Sequence, residues 1–280
     1  MAVHQESSEL LSSDGLRLHF VARRPPGQAR ANVVVIHGLG DHIGLYDGLL
    51  SQLSAKGYAA FGLDLRGHGR SAGPRGHILR WDQYTADVST LLHRVQSGEA
   101  GPLFLLGNSM GALVALERGL ALGCAIRGVV ALSPPFGDVG VPSWLLRLGR
   151  VASAVWPSLT LNPRFDLTGV TRDQDALREV LADPLFHRKA SARLSTELFA
   201  TVARLKEQAG RFPVPLLLLH GGADFMVSPA ATREFAARVP QERVRYIEYP
   251  GAYHSLLIDT NREEVLRDIG EWLEAQVTSP

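Results

Sequence analysis

The chain has 280 residues, 45% hydrophobic and 20% charged, with a formal net charge of +1. That length accommodates one large α/β domain or a core with an insertion, and the balanced charge argues against a nucleic-acid binder working through a basic face. One cysteine, Cys124, excludes an internal disulfide and fits a reducing compartment. The first nine residues carry neither a basic n-region nor an apolar h-region, so no secretory signal is expected. No apolar run approaches the roughly 20 residues a spanning helix needs. The expectation is a cytoplasmic protein, with peripheral membrane contact left open.

Residues 9–12 and 16–23 read as two strands joined at Ser13-Asp14-Gly15, a hairpin turn signal. Leu16, Leu18 and Phe20 alternate with Arg17 and His19, which predicts one wet face. Residues 32–36 form a β-branched run without alternation, the pattern of a strand buried on both faces. It ends in His37-Gly38-Leu39-Gly40-Asp41-His42. A helix over 45–56 is closed by Gly57. A second buried strand, 58–63, leads into Asp64-Leu65-Arg66-Gly67-His68-Gly69-Arg70-Ser71, read as a structural ion-paired loop. Helical periodicity over 81–95 is followed by the apolar run 103–106, a helix over about 110–122 and a strand over 128–132. Strands alternating with helices predict a mostly parallel sheet covered on both faces.

The alternation fails after Ser133. Pro134-Pro135 stops the strand, and no clear buried strand follows until 216–220. The intervening residues include an apolar helical stretch over 141–156, with Trp144, Leu145, Leu146, Leu148, Val151, Val155 and Trp156, and a helix over 191–208. They are neither repetitive nor of low complexity. The chain therefore divides into an α/β core, 1–133 and 211–280, and a helical cap inserted at 134–210. Cys124 reads as a small core residue. Beyond the cap come a strand ending at His220, a helix over 229–238, a strand over 244–249 and a last helix over 261–277.

The chemistry is concentrated at Gly107-Asn108-Ser109-Met110-Gly111, between an apolar strand and an apolar helix. In this strand–turn–helix setting G-x-S-x-G is the nucleophile elbow of α/β-hydrolases. A turn so tight strains the serine and requires that the residues two before and two after it lack bulk. A serine hydroxyl needs a base, and the base needs a third group to hold its tautomer. Asp224, four past one strand, and His254, five past the next, follow Ser109 in the order such hydrolases use. Both are expected at strand carboxyl ends, where α/β sheets bind ligands. The oxyanion hole needs two backbone donors: Met110, next to the nucleophile, and Leu39, in the glycine-containing loop after the third strand. His37 and His42 lack metal-ligand companions, and no cysteine cluster or H-x-x-x-H implies zinc. No G-x-G-x-x-G follows a strand, so no cofactor is expected. Asp138 lies in the insertion, out of position for the triad acid.

At these residues the chain resembles the monoacylglycerol lipase and lysophospholipase group of α/β-hydrolases, also grouped with serine aminopeptidase-like hydrolases. The resemblance rests on His37-Gly38-Leu39-Gly40-Asp41-His42 with Tyr46, Asp64 through Ser71, Gly107 through Gly111, Asp183-Pro184-Leu185, Gly221-Gly222-Ala223-Asp224 and Tyr253-His254. It implies a serine hydrolase that cleaves lipid-like carboxylic esters, with monoacylglycerol the leading substrate. It also implies a cap whose apolar helix, 141–156, borders an acyl tunnel and can touch membrane lipid. Asn108 stands where the group commonly has histidine, a departure that alters nearby hydrogen bonds. Lysophospholipase and short-chain esterase readings share the triad. A peptidase would need acidic cap residues at the site, for which the sequence offers Asp173, Asp175 and Glu179. An epoxide hydrolase or dehalogenase would carry an acid at 109. A non-catalytic ligand-binding protein on this fold is the reading furthest from these.

Overall fold

The computed structural model describes residues 4–137, 143–161 and 166–278. In chain order the first part contains β1 (His4–Leu11), β2 (Arg17–Arg24), β3 (Asn32–Ile36), α1 (Asp47–Ala55), β4 (Ala59–Leu63), α2 (Asp82–Gly98), β5 (Leu103–Asn108), α3 (Met110–Leu122) and β6 (Gly128–Leu132). The chain then leaves the main sheet for α4 (Ser143–Val155), β7 (Thr160–Leu161), α5 (Gln174–Ala182), β8 (Ala190–Ser191) and α6 (Ala192–Gln208). It returns with β9 (Leu216–Gly221), α7 (Pro229–Arg238), β10 (Val244–Tyr249) and α8 (Arg262–Thr278).

The eight-stranded sheet has the order β1-β2-β4-β3-β5-β6-β9-β10. β2 runs antiparallel to β1 and β4, and the pairs from β4 through β10 are parallel. This is the mostly parallel sheet expected from the alternation, in the α/β-hydrolase arrangement that the resemblance implies. The continuous apolar runs are explained by two-sided cover. Val34, Ile36, Leu103 and Leu105 join one buried cluster with side chains from α2, α3, α6 and α7. Val33, Val35, Phe104 and Leu106 join the other, with α1 and α8.

Several expectations shift in detail. β1 begins at His4 rather than residue 9, because this edge strand is mostly exposed and shows no apolar alternation. α5 was not anticipated, nor was the two-residue pairing of β7 with β8. α6 begins one residue late because Ser191 is its N-cap, accepting from Leu194 N–H. Asp64 and Arg66 do not pair with each other. Asp64 accepts from the amides of Ile43 and Arg70, while Arg66 grips the buried Asp87 and the surface residue Asp14. The expectation for Asp138, and those for the side chains of Cys124, Trp144, Leu145 and Leu146, lie outside what is described.

Candidate active site

Four loops meet at the carboxyl edge of the parallel strands, the edge where such sheets place ligands. The loop after β3 carries Leu39, the turn after β5 carries Ser109, the loop after β9 carries Asp224, and the loop after β10 carries His254. Ser109 sits at φ 51°, ψ −118°, outside the regions an L-residue favours. The flanking glycines make that turn sterically possible. A Cβ on Gly107 would lie 2.3 Å from the Gly111 carbonyl oxygen, and one on Gly111 would lie 2.2 Å from that of Ile36. Ser109 N–H donates to Leu132 O at 2.8 Å, tying the turn to β6.

The sequence-predicted trio comes together. Asp224 Oδ2 accepts from His254 Nδ1 at 2.7 Å, and His254 Nε2 lies 3.0 Å from Ser109 Oγ. A carboxylate can only accept, so Nδ1 carries a proton and Nε2 presents its lone pair to the hydroxyl. Asp224 and His254 are buried, and Ser109 is half-buried. Burial acts to raise the Asp224 carboxyl. Hydrogen bonds from His220 and His254, with the amides of Met226 and Val227, outweigh it and hold the group well below the usual carboxylate range. The amides of Leu39 and Met110 have no acceptor among the described residues.

The loop bearing Leu39 is fixed from several sides. His37 Nδ1 donates to Gly38 O at 2.7 Å while Nε2 accepts from Leu65 N–H at 3.0 Å. Burial depresses its proton affinity, which suits this neutral tautomer and a structural role. Asn108 Nδ2 donates to the Tyr46 hydroxyl at 2.9 Å, and that hydroxyl donates to Asp41 Oδ2 at 2.7 Å. Burial, reinforced by Asp41, keeps the phenol protonated. Asn108 thus joins the elbow to the loop after β3. Gly40 O accepts from His187 N–H at 3.0 Å, and His42 Nε2 lies 3.1 Å from Asp183 Oδ2, so the segment before α6 clamps the same loop.

Residues outside the sequence motifs hold His254. Its N–H donates to Gly169 O at 3.2 Å, and its carbonyl accepts from Ser133 Oγ at 2.7 Å. Asp259, fully buried, accepts from Tyr253 N–H, Thr260 N–H, Thr171 Oγ1, and the backbone and guanidinium of Arg172. Nothing in the order of residues signals these bonds, except that His220 stands four before Asp224. Asp173 caps α5, and Asp175 and Glu179 are exposed on that helix, Asp175 paired with Arg178. The acidic residues a peptidase reading called on therefore serve α5. No metal-binding group of His, Cys, Asp or Glu occurs among the described residues.

The model for the family described as serine aminopeptidase, S33, matches residues 27–261. The chain is similar to the monoacylglycerol lipase of Mycolicibacterium smegmatis, 28% identical over 92% of this chain and 93% of that one. It is similar to a phospholipase of Bacillus subtilis, 30% identical over 85% of this chain and 92% of that one. An uncharacterized abhydrolase domain-containing protein of Dictyostelium discoideum is 29% identical over 96% of this chain, which spans only 29% of its length. Among solved structures, the monoacylglycerol lipase of Paleococcus ferrophilus superposes with a TM-score of 0.84 at 28% identity, covering 99% of this chain and 100% of that one.

Proposed function

This chain belongs to the serine aminopeptidase S33 family of hydrolases, and we propose that it hydrolyses lipid-like carboxylic esters, splitting monoacylglycerol into fatty acid and glycerol. The observation that carries the reading is the continuous hydrogen-bond path from Asp224 through His254 to Ser109. Ser109 Oγ attacks the ester carbonyl carbon as its proton passes to His254 Nε2. Asp224 stabilises the imidazolium that forms. The Leu39 and Met110 amides receive the oxyanion, a contribution worth roughly 10²–10³ in kcat per donor. Collapse of the tetrahedral intermediate breaks the bond to the glycerol oxygen, which leaves with the proton from His254 Nε2. Water then attacks the acylated Ser109 with His254 as base, releasing fatty acid and restoring the hydroxyl.

Residues 134–210 act as a cap over the core formed by 1–133 and 211–280. On α4 the polar Ser153 faces inward, bonded to Thr196 Oγ1, while Leu148, Val151 and Val155 are 56%, 60% and 80% exposed and Trp156, just beyond, 62%. Three apolar side chains at i, i+3 and i+7 share one helix face. That inverted face is suited to a lipid surface from which the substrate is drawn. No described helix is long and apolar enough to cross a membrane.

The test is Ser109→Ala on a panel of monoacylglycerols, lysophospholipids and short-chain esters. The variant lowers kcat by roughly 10⁴–10⁶ and loses fluorophosphonate labelling; activity within a few-fold of wild type removes Ser109 from the role. The wild type has its highest kcat/KM on monoacylglycerols. A preference for lysophospholipids, the class suggested by the phospholipase relative, would overturn the head-group assignment.

A further inference from the structure

We infer that His220 is a positioning residue, a second imidazole that shares Asp224 with His254 and sets how strongly that carboxylate supports the protonated base. The inference rests on the triad reading above.

His220 is the fifth residue of β9 and is fully buried. Its Nε2 lies 3.1 Å from Asp224 Oδ2 and 3.3 Å from Val227 O. Both neighbours are acceptors, and its Nδ1 has no partner among the described residues. A proton on Nδ1 would leave three lone-pair groups facing one another around Nε2. The proton therefore sits on Nε2 and is donated into Asp224. Oδ2 thus receives two imidazole N–H groups, while Oδ1 receives the amides of Met226 and Val227. All four lone-pair directions of the carboxylate are occupied. It cannot rotate without breaking a bond, and His220 itself is fully buried, away from bulk water.

The shared oxygen has an electronic consequence. The charge on Oδ2 is divided between two donors, so His254 draws less stabilisation for its imidazolium than it would from a carboxylate it held alone. Two other carboxylates on neighbouring elements are paired away. Glu248 of β10 is held by Arg233 of α7 and the Tyr246 hydroxyl, and Asp259 by Arg172. Removing the His220 donor concentrates the Asp224 charge on His254 and moves the acid limb of the rate profile upward.

The experiment measures kcat/KM against pH for a soluble ester with wild type, His220→Leu and His220→Gln. In His220→Leu the acid limb moves up by about 0.5–1 pH unit, the scale of one hydrogen bond to a carboxylate, with KM within about two-fold. His220→Gln, whose amide can donate, restores the wild-type limb. An acid limb in folded His220→Leu unmoved within about 0.2 unit overturns the inference, since the predicted shift is several times larger. The tautomer is tested in the intact wild type by long-range ¹H–¹⁵N correlation of labelled histidines: protonated Nε2 with bare Nδ1 on His220 is expected, and the reverse refutes the proposal whether or not the variants fold. Activity that survives Ser109→Ala would fail the triad reading instead. Ser109-dependent activity with an unmoved limb fails the role of His220 alone.

Discussion

Gly40→Ala tests whether the segment before α6 sets the position of the proposed oxyanion donor. Gly40 follows Leu39, has φ +81°, and would place a Cβ 1.9 Å from His187 O and 3.2 Å from its carbonyl carbon. An acceptable C···O contact is roughly 3.3 Å, so the two backbones must part by about 1.4 Å. That displacement breaks the 3.0 Å bond from His187 N–H to Gly40 O. The left-handed conformation costs alanine about 1–2 kcal/mol and the lost bond about 1 kcal/mol. For a chain of this size the sum corresponds to a fall in Tm of roughly 4–12 °C, which leaves the protein folded at 25 °C. The adjacent Leu39 amide moves with the loop, and losing one oxyanion donor costs roughly 10²–10³ in kcat. Steady-state kinetics on a soluble ester, with fluorophosphonate titration to count intact sites, should give kcat down about 10²-fold with KM little changed. A kcat within about five-fold of wild type, in a variant whose Tm has fallen as expected, would mean that the clamp does not reach the donor.

Two further outcomes follow from the fold. Burial depresses the proton affinity of His37 and His68, both fully buried, so the folded state binds fewer protons than the unfolded chain below about pH 6.5. The stability these two confer is complete above that pH and is lost as pH falls from it, at up to about 1.4 kcal/mol per pH unit for each histidine. Urea unfolding at a series of pH values from 7.5 to 5 should show this slope before most carboxylates titrate, and a flat profile would refute it. Changing Leu148, Val151 and Val155 to serine should reduce co-sedimentation with liposomes while leaving hydrolysis of a soluble ester within about two-fold. Unchanged co-sedimentation would show that the α4 face is not the docking surface.

The legible parts of this sequence were those whose signal is local. Strands β3 through β6 announced themselves as unbroken apolar runs, because a strand covered on both faces has no polar side to alternate. The elbow was visible at Gly107 through Gly111 because its steric demand falls on residues two apart. Only the end of the edge strand β1 is legible, because its exposed HQESSELL sequence is held by ladder bonds to β2 and by Arg24 on Glu6, not by an apolar face. α5 was invisible for a related reason: it buries only Leu177 and is short.

What the sequence by itself determined was the succession of elements, the strained serine turn and the order of a serine, an acid and a histidine at strand ends. What only the tertiary structure decided was the company each of them keeps. Asp224 was one aspartate among turn formers until His254 came to 2.7 Å on one side and His220 to 3.1 Å on the other. Asp259 became the anchor of the histidine loop only when Arg172, 87 positions away, closed on it. Asn108 found its partner in Tyr46, 62 positions earlier. Hydrogen-bond partners separated by such distances are set by how the sheet stacks its strands, and that order, β4 beside β3 and β9 beside β6, is carried by no local run of residues.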